Sequence, residues 1–343
     1  MKLQFIAGLA DGQVVSSLFL VREKEIRTSV RSGKSWLELN LADRSGSIPA
    51  KMWDNFETLA KTFDLDDVVR VRGRVKVYNG QKELTLEQIV PTSDNEYDLA
   101  DFLPHTKHDV EKLYASVKAA IAGMRNPWLR QLLSSIVEDP DIAPRLKRAP
   151  AAMTMHHAYL GGLLEHVVSL IGLASAVSAH YPELDADLLL AGVVLHDIGK
   201  LDEFRYVRGI DYSDQGRLLG HITIGVRLVQ EKCRAIEGFP APLAVLVEHL
   251  IVSHHGTYEF GSPSLPQTPE AVMLHLIDDM DSKMAAMRAT LEAASANGSP
   301  GNWTDRNPSL RRALLRAARY LAIPEAPGTA AARTTPASGI GKE

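Results

Sequence analysis

A single cysteine, Cys233, stands in 343 residues. That scarcity excludes an intrachain disulfide and a thiolate-built metal cluster, and it fits a reducing compartment. Cys233 itself reads as a helix residue with no catalytic role. Neither sign of charge dominates, since 38 Lys and Arg against 42 Asp and Glu leave a formal net charge of −4. A whole-surface attraction to polyanions is therefore absent, and any contact with nucleic acid has to come from a local patch. The opening residues, MKLQFIAGLADGQVV, lack an extended apolar region with a small-residue cleavage site, and no apolar stretch reads as long enough to span a bilayer. The expectation is a cytoplasmic protein with no membrane partner. Internal repeats are lacking too. From Pro324 onward, PEAPGTAAARTTPASGIGKE has no periodic apolar residues, so residues 324–343 are expected to form a disordered tail.

What is present falls into two halves. Residues 1–91 alternate: in Trp36–Leu41 every second residue is a leucine, and Val69, Val71, Gly73, Val75 and Val77 repeat the pattern. A half-buried strand requires that period. Strands are expected over residues 13–28, 35–43, 46–54, 67–78 and 82–90, with turns at Asp43-Arg44-Ser45-Gly46 and at Tyr78-Asn79-Gly80-Gln81. One short helix, 55–62, separates the third strand from the fourth. Five strands in that order describe an OB-fold barrel.

Residues 92–108, rich in turn formers and acids, read as a linker. Helical periodicity then predicts an all-α domain over 109–323. Its helices are expected at 109–121 with Asp109 as cap, 127–138, 156–180, 185–196, 218–236, 242–254, 269–292 and 308–321. Pro127, Pro242, Pro269 and Pro308 fall at or near first-turn positions, where a missing N–H does no harm.

Several of these apolar helices carry a polar residue that ought to be buried. His166 shares its face with Leu163, Val167 and Leu170; His196 and Asp197 end the run LLLAGVVLHDIGK; His221 lies in LLGH; His254 and His255 close a helix before Gly256; and Asp278 sits in HLIDDMDSK. A lone histidine on such a face is usually a satisfied core residue. Burying this many without partners would be costly, and a shared cation removes the cost. A carboxylate between imidazoles suits two divalent ions and phosphate-ester hydrolysis.

The ordered set His166, His196-Asp197 and Asp278 resembles the HD-domain metal-dependent phosphohydrolases, and His221 with His254-His255 resembles the extended ligand set of their dinuclear members. In two domains together, HHAYLGGLLEH, HDIGK, LLGH, SHHGTYEFGSP and HLIDDMDSKM after an OB-fold resemble the bacterial YhaM-type 3′-5′ exoribonucleases. Cyclic-dinucleotide phosphodiesterases carry Gly-Tyr-Pro after the histidine pair, and this chain does not. The resemblance implies an all-β OB-fold barrel followed by an all-α HD-domain bundle, and a hydrolase that releases nucleoside 5′-monophosphates from single-stranded RNA, with DNA left open. It implies Asp197 as bridge and catalytic residue, one ion on His166, His196 and Asp278, and a second on His221, His254 and His255. Manganese is the family expectation, while iron, cobalt and zinc also suit imidazole and carboxylate donors.

Lys200 reads either as a catalytic group holding a phosphate oxygen or as a lysine complementing a helix end. Asp281 reads as the orienter of an imidazole or as half of a surface pair. His156, His157, Tyr258 and Phe260 are candidate substrate contacts. Gly12–Pro91 resembles OB-fold nucleic-acid-binding domains of the anticodon-binding type. There, Arg70, Arg72, Arg74, Lys76 and Lys82 would take phosphates, and Trp36, Trp53, Phe56 and Tyr78 would stack on bases. The bland alternative makes the arginines a solvated strand face and the tryptophans barrel core. Two competing functions remain open: a phosphohydrolase of small nucleotides or cyclic dinucleotides with a regulatory barrel, and an inactive nucleic-acid-binding module. An oligomer is compatible with all three.

Overall fold

The alternation of the first ninety residues closes into a barrel. In the computed structural model, which describes residues 4–29, 32–78, 81–93, 96–103, 105–153, 159–205, 211–296 and 301–321, strands β1 (Val14–Thr28), β2 (Ser35–Asp43), β3 (Gly46–Met52), β4 (Val68–Tyr78) and β5 (Gln81–Pro91) pair in the closed order β1-β2-β3-β5-β4. All pairings are antiparallel except β3 with β5. A short helix, α1 (Phe56–Leu59), joins β3 to β4. Leu37, Leu39 and Leu41 of β2 and Val69, Val71 and Val75 of β4 fill the interior, as the alternation requires. Phe56, expected to stack on bases, is a barrel core residue instead. The pattern through Gly73 passes a register shift between Arg72 and Gly73.

The segment read as a linker is packed, not loose. A 3-10 turn at Leu99–Asp101 leads into Phe102 and Leu103, which are buried with Leu18, Leu20 and Val68 on the outside of the barrel and with Leu160 ahead of the helical bundle. Tyr97 packs edge-on against Phe102. Aromatic and aliphatic residues inside an acidic, turn-rich stretch made this cluster, and the stretch's overall composition hid it.

Helices α2 (Val110–Ala122), α3 (Pro127–Val137), α4 (Ala143–Leu146), α5 (Gly162–His180), α6 (Ala186–Leu195), α7 (Lys200–Glu203), α8 (Asp214–Ala235), α9 (Ala241–Ser253) and α10 (Pro269–Ala296) follow. Between α7 and α8 lies a small hairpin of β6 (Phe204–Arg205) and β7 (Asp211–Tyr212). Asp109, Asn126 and Asp185 cap α2, α3 and α6 with side-chain oxygens on the first-turn N–H groups. Helix α8 begins four residues earlier than expected because Ser213 caps it through Gly216 N–H.

By length and composition α5 is apolar enough to cross a membrane, contrary to the sequence expectation. Its apolar residues are explained by packing: Leu163, Leu164, Val167, Leu170 and Ala174 enter the main helical core. Cys233 is buried on α8, and burial followed by Glu248 pushes its thiol up to about 11, so it stays protonated.

The chain divides into two compact units, Met1–Asp281 and Ser282–Glu343. In the second, the expected helix over 308–321 is absent. Bridges Trp303↔Leu315 and Asn307↔Arg312 form an irregular hairpin, followed by only a short helix, α11 (Ala317–Tyr320). Thr304 explains the difference: its N–H donates to Leu314 O and its Oγ1 accepts from Leu314 N–H, both at 3.0 Å, while Asn307 Oδ1 accepts from Leu310 N–H at 3.0 Å. Such local side-chain bonds outcompete a helix of modest propensity. The expected tail, 324–343, lies outside the described residues.

Candidate functional site

Five histidines from four helical segments gather beside two carboxylates, Asp197 and Asp278. His166 projects from α5, His196 follows α6 as its C-cap with Asp197 next, His221 stands in α8, and His254-His255 end α9. Their rings form a continuous series: centroids lie 5.5 Å apart for His166 and His196, 5.0 Å for His196 and His254, 5.6 Å for His221 and His254, and 4.4 Å for His254 and His255. Asp278 reaches in from α10, with Oδ1 3.1 Å from His166 Nε2 and 4.0 Å from His196 Nε2.

Two glycines make this convergence sterically feasible. At Gly199, directly after His196-Asp197-Ile198, a Cβ would stand 1.9 Å from His221 O and 2.6 Å from Gly225 N. Only glycine lets this turn touch α8. At Gly220 the backbone has φ 68°, a non-helical kink inside α8 that turns His221 inward.

All five imidazoles have Nδ1 engaged by an oxygen of the chain. Nδ1 of His196 meets Val193 O at 3.0 Å, Nδ1 of His254 meets Ile251 O at 2.7 Å, and Nδ1 of His255 meets Phe260 O at 2.8 Å. Nδ1 of His166 meets Asp281 Oδ2 at 2.9 Å, and Nδ1 of His221 meets Glu203 Oε1 at 3.1 Å. Carbonyl oxygens only accept, so Nδ1 carries the proton at those three rings and Nε2 keeps its lone pair. At His166, His196, His221 and His254, Nε2 is the atom turned toward a carboxylate. From Asp197 Oδ2 to His196 Nε2 is 3.3 Å, and from Asp197 Oδ1 to His221 Nε2 and His254 Nε2 is 3.5 and 3.7 Å.

Electrostatics at Asp197, His254 and His255 agree with a cation-binding role. Among the described residues, His196 Nε2, His221 Nε2 and Asp197 Oδ1 are buried without a hydrogen-bond partner. Left that way, each costs about 1–3 kcal/mol, so three in one pocket indicate a missing positive partner. Ligands about 2.0–2.2 Å from one ion lie about 3–3.5 Å from each other, which the distances around Asp197 approach. Two groups of side chains could each hold an ion, His166 with His196 and Asp197, and His221 with His254 and His255. Burial, reinforced by the neighbouring His196, holds His254 well below the usual imidazole range, and burial lowers His255 as well. Both are thus neutral, as ligands must be. Burial opposes ionisation of Asp197, but Lys200 and then His196 outweigh it and hold the carboxyl low. Burial would depress His166 too, yet hydrogen bonds to Asp278 and Asp281 raise it to about 9.

Of the substituents around this set, Asp281 is the expected orienter: its second oxygen accepts from Ser169 Oγ at 2.6 Å. Glu203 was missed. It is buried, and its Oε1 accepts both His221 N–H, at 2.9 Å, and His221 Nδ1. Its place in KLDE, at the end of a short helix, resembles a surface acid, and no signal in the sequence singled it out. Lys200 Nζ lies 2.5 Å from Asp197 Oδ2. Tyr258 and Phe260 are exposed on a 3-10 turn, and the carbonyl of Phe260 is the one that holds His255. His156 and His157 lie outside the described residues.

On the barrel the expected nucleic-acid contacts separate into two places. Trp36 and Trp53 are outside the barrel core, stacked with centroids 5.2 Å apart on the outer side of β2 and the end of β3. Arg70, Arg72, Arg74 and Lys76 line the exposed side of β4, which β1 separates from β2 and β5 separates from β3. The two sets therefore do not lie on neighbouring strands. Arg70 pairs with Glu96 at 3.1 Å, Arg72 with Glu87 at 3.6 Å, and Arg74 donates to Gly12 O, so three of these cations already have partners. Lys82 is exposed on β5, and the Tyr78 side chain lies outside the described residues.

Family models match both halves: an OB-fold nucleic acid binding domain over residues 20–92 and an HD domain over residues 163–283. Among curated proteins, the 3′-5′ exoribonuclease YhaM of Bacillus velezensis is 37% identical over 86% of this chain and 92% of its own length. The protein of the same name from Bacillus subtilis is 35% identical over the same shares. Among solved structures, the second OB-fold domain of replication protein A from Methanococcus maripaludis is 21% identical over 29% of this chain and 98% of that one, with a TM-score of 0.22, too low to bear on function.

Proposed function

The chain belongs to the YhaM 3′-5′ exoribonuclease family, and from that premise we propose that it removes nucleotides from the 3′ end of single-stranded RNA at a dinuclear centre bridged by Asp197. The observation that carries this reading is the common orientation of His196, His221 and His254, with Nδ1 engaged outward and Nε2 turned to Asp197, whose Oδ1 is buried without a partner. His166, His196 and Asp278 would hold one ion, and His221, His254 and His255 the other. Divalent cations there, manganese by family expectation and iron, cobalt or zinc by donor chemistry, would lower the pKa of a water and offset charge on the phosphoryl oxygens.

The chain's own groups supply the rest. Asp197 offers Oδ2 toward His196 and Oδ1 toward His221 and His254, the arrangement a bridge needs. Asp281 and Glu203 keep His166 and His221 from rotating. Lys200, at the edge of the set, is the ammonium we assign to a non-bridging phosphate oxygen. Tyr258 and Phe260 would receive the terminal base, with His156 and His157 as further candidate substrate contacts. Trp36 and Trp53 would stack on bases further up the strand, and DNA fits the same contacts.

A 5′-labelled oligoribonucleotide incubated with manganese-loaded protein tests this. The expected result is a ladder of progressively shorter labelled products together with nucleoside 5′-monophosphates. An intact oligomer alongside turnover of mononucleotides or cyclic dinucleotides would assign the centre to small substrates instead.

A further inference from the structure

Residues 301–321 read GNWTDRNPSLRRALLRAARYL, with Arg306, Arg311, Arg312, Arg316 and Arg319 against a single acid, Asp305. In a chain of net charge −4 this is a local positive patch of the kind a polyanion requires. All of its cations are arginines. A guanidinium pairs with phosphate in a two-pronged way and stacks on aromatic faces, which an ammonium cannot do.

The fold sorts these residues into two sides. On the inner side Leu310 and Arg316 are buried, Arg316 Nη2 donates to Ser295 Oγ at 3.3 Å, and Asn307 Nδ2 donates to Thr290 Oγ1 at 2.7 Å, both acceptors belonging to α10. These bonds and the bridges Trp303↔Leu315 and Asn307↔Arg312 fix the hairpin to its helix. Arg306, Arg311 and Arg312 are exposed to water, as are Trp303 at 61% and Tyr320 at 62%. Arg311 is held at φ 53°, a left-handed conformation uncommon for residues other than glycine, and it stands at the hairpin's turn. A large exposed indole on the same hairpin as three exposed arginines fits one ligand chemistry well. Single-stranded nucleic acid offers phosphates and open base faces side by side, whereas an acidic peptide offers only the charge and a duplex keeps its bases stacked.

We propose that this hairpin is a second strand-contact surface, taking phosphates of a single-stranded nucleic acid on Arg306, Arg311 and Arg312 and a base on Trp303. It rests on the reading of the chain as a nuclease of strands, and it adds a binding site built from the second compact unit.

The test uses the full chain after chelation, so that the strand stays whole, and measures binding of a long fluorescein-labelled oligouridylate across a salt series. In Arg306→Gln/Arg311→Asn/Arg312→Gln, where asparagine tolerates the left-handed backbone, affinity should fall about tenfold. The slope of log K against log salt should become shallower by about 2, at about 0.7 per lost phosphate contact. Trp303→Ala should weaken binding with the slope unchanged. Both variants, reloaded with manganese, should hydrolyse a dinucleotide at the wild-type rate, which shows that they are folded. If the triple variant fails that control, Trp303→Ala alone decides, and unchanged affinity there overturns the proposal. Wild-type protein that binds while both variants bind equally well removes this surface and leaves the metal centre's reading intact; wild-type protein that does not bind the strand removes both.

Discussion

At the scale of single residues, the ligands were legible in the sequence because they break a rule. His166 is buried in an apolar helix and His196, Asp197 and His254 at the ends of two others, and buried polar groups need partners. Glu203 breaks no rule in the sequence, since an acid beside Asp202 in a charged tetrapeptide is ordinary; its role exists only once the Gly220 kink brings His221 over it. This makes Glu203 a positioning residue with a measurable signature. Glu203→Ala should lower affinity for a divalent ion by about 10–100-fold, read by titration calorimetry, while Glu203→Gln keeps an oxygen acceptor and should recover most of it. Equal loss in both variants would assign the effect to the carboxylate's charge and not to orientation of His221.

At the scale of elements, the contact between α7 and α8 decides whether the two groups of imidazoles meet. Gly199 is the point of closest approach, so Gly199→Ala must push α8 away from His196-Asp197. The expected cost is about 1–3 kcal/mol of stability from overpacking, together with weakened metal binding, measured by urea denaturation and by metal content of the folded protein. Retention of both would mean that the turn relaxes without cost. On the barrel, the strand pattern showed which residues alternate but not how far apart two strands lie around a closed sheet. That is why Trp36 and Trp53 were grouped with the β4 arginines, although β1 and β5 lie between them. The tryptophan pair on its own should contribute about 1–3 kcal/mol per stacked base. Trp36→Ala/Trp53→Ala should therefore weaken oligonucleotide binding by at least tenfold and leave dinucleotide hydrolysis unchanged. The hairpin at Trp303–Arg316 was hidden for another reason: its leucines and alanines follow a helical period, and Thr304 and Asn307 override it through bonds that no period reports.

At the scale of the whole molecule, the order of an OB-fold barrel followed by a helical HD bundle was legible from the change in hydrophobic period near Pro91, from two to near four. What the period could not reveal is the junction, where Phe102 and Leu103 of a supposed linker pack against Leu18, Leu20 and Leu160. That small core joins residues of the barrel, the connecting segment and the entry to the bundle. The central claim remains the bridge at Asp197, and metal stoichiometry tests it most directly. Elemental analysis of manganese-loaded, desalted protein should give two ions per chain for the wild type, one for His221→Ala and fewer than one for Asp197→Asn. One ion in the wild type that survives His221→Ala, or two that survive Asp197→Asn, would contradict the account.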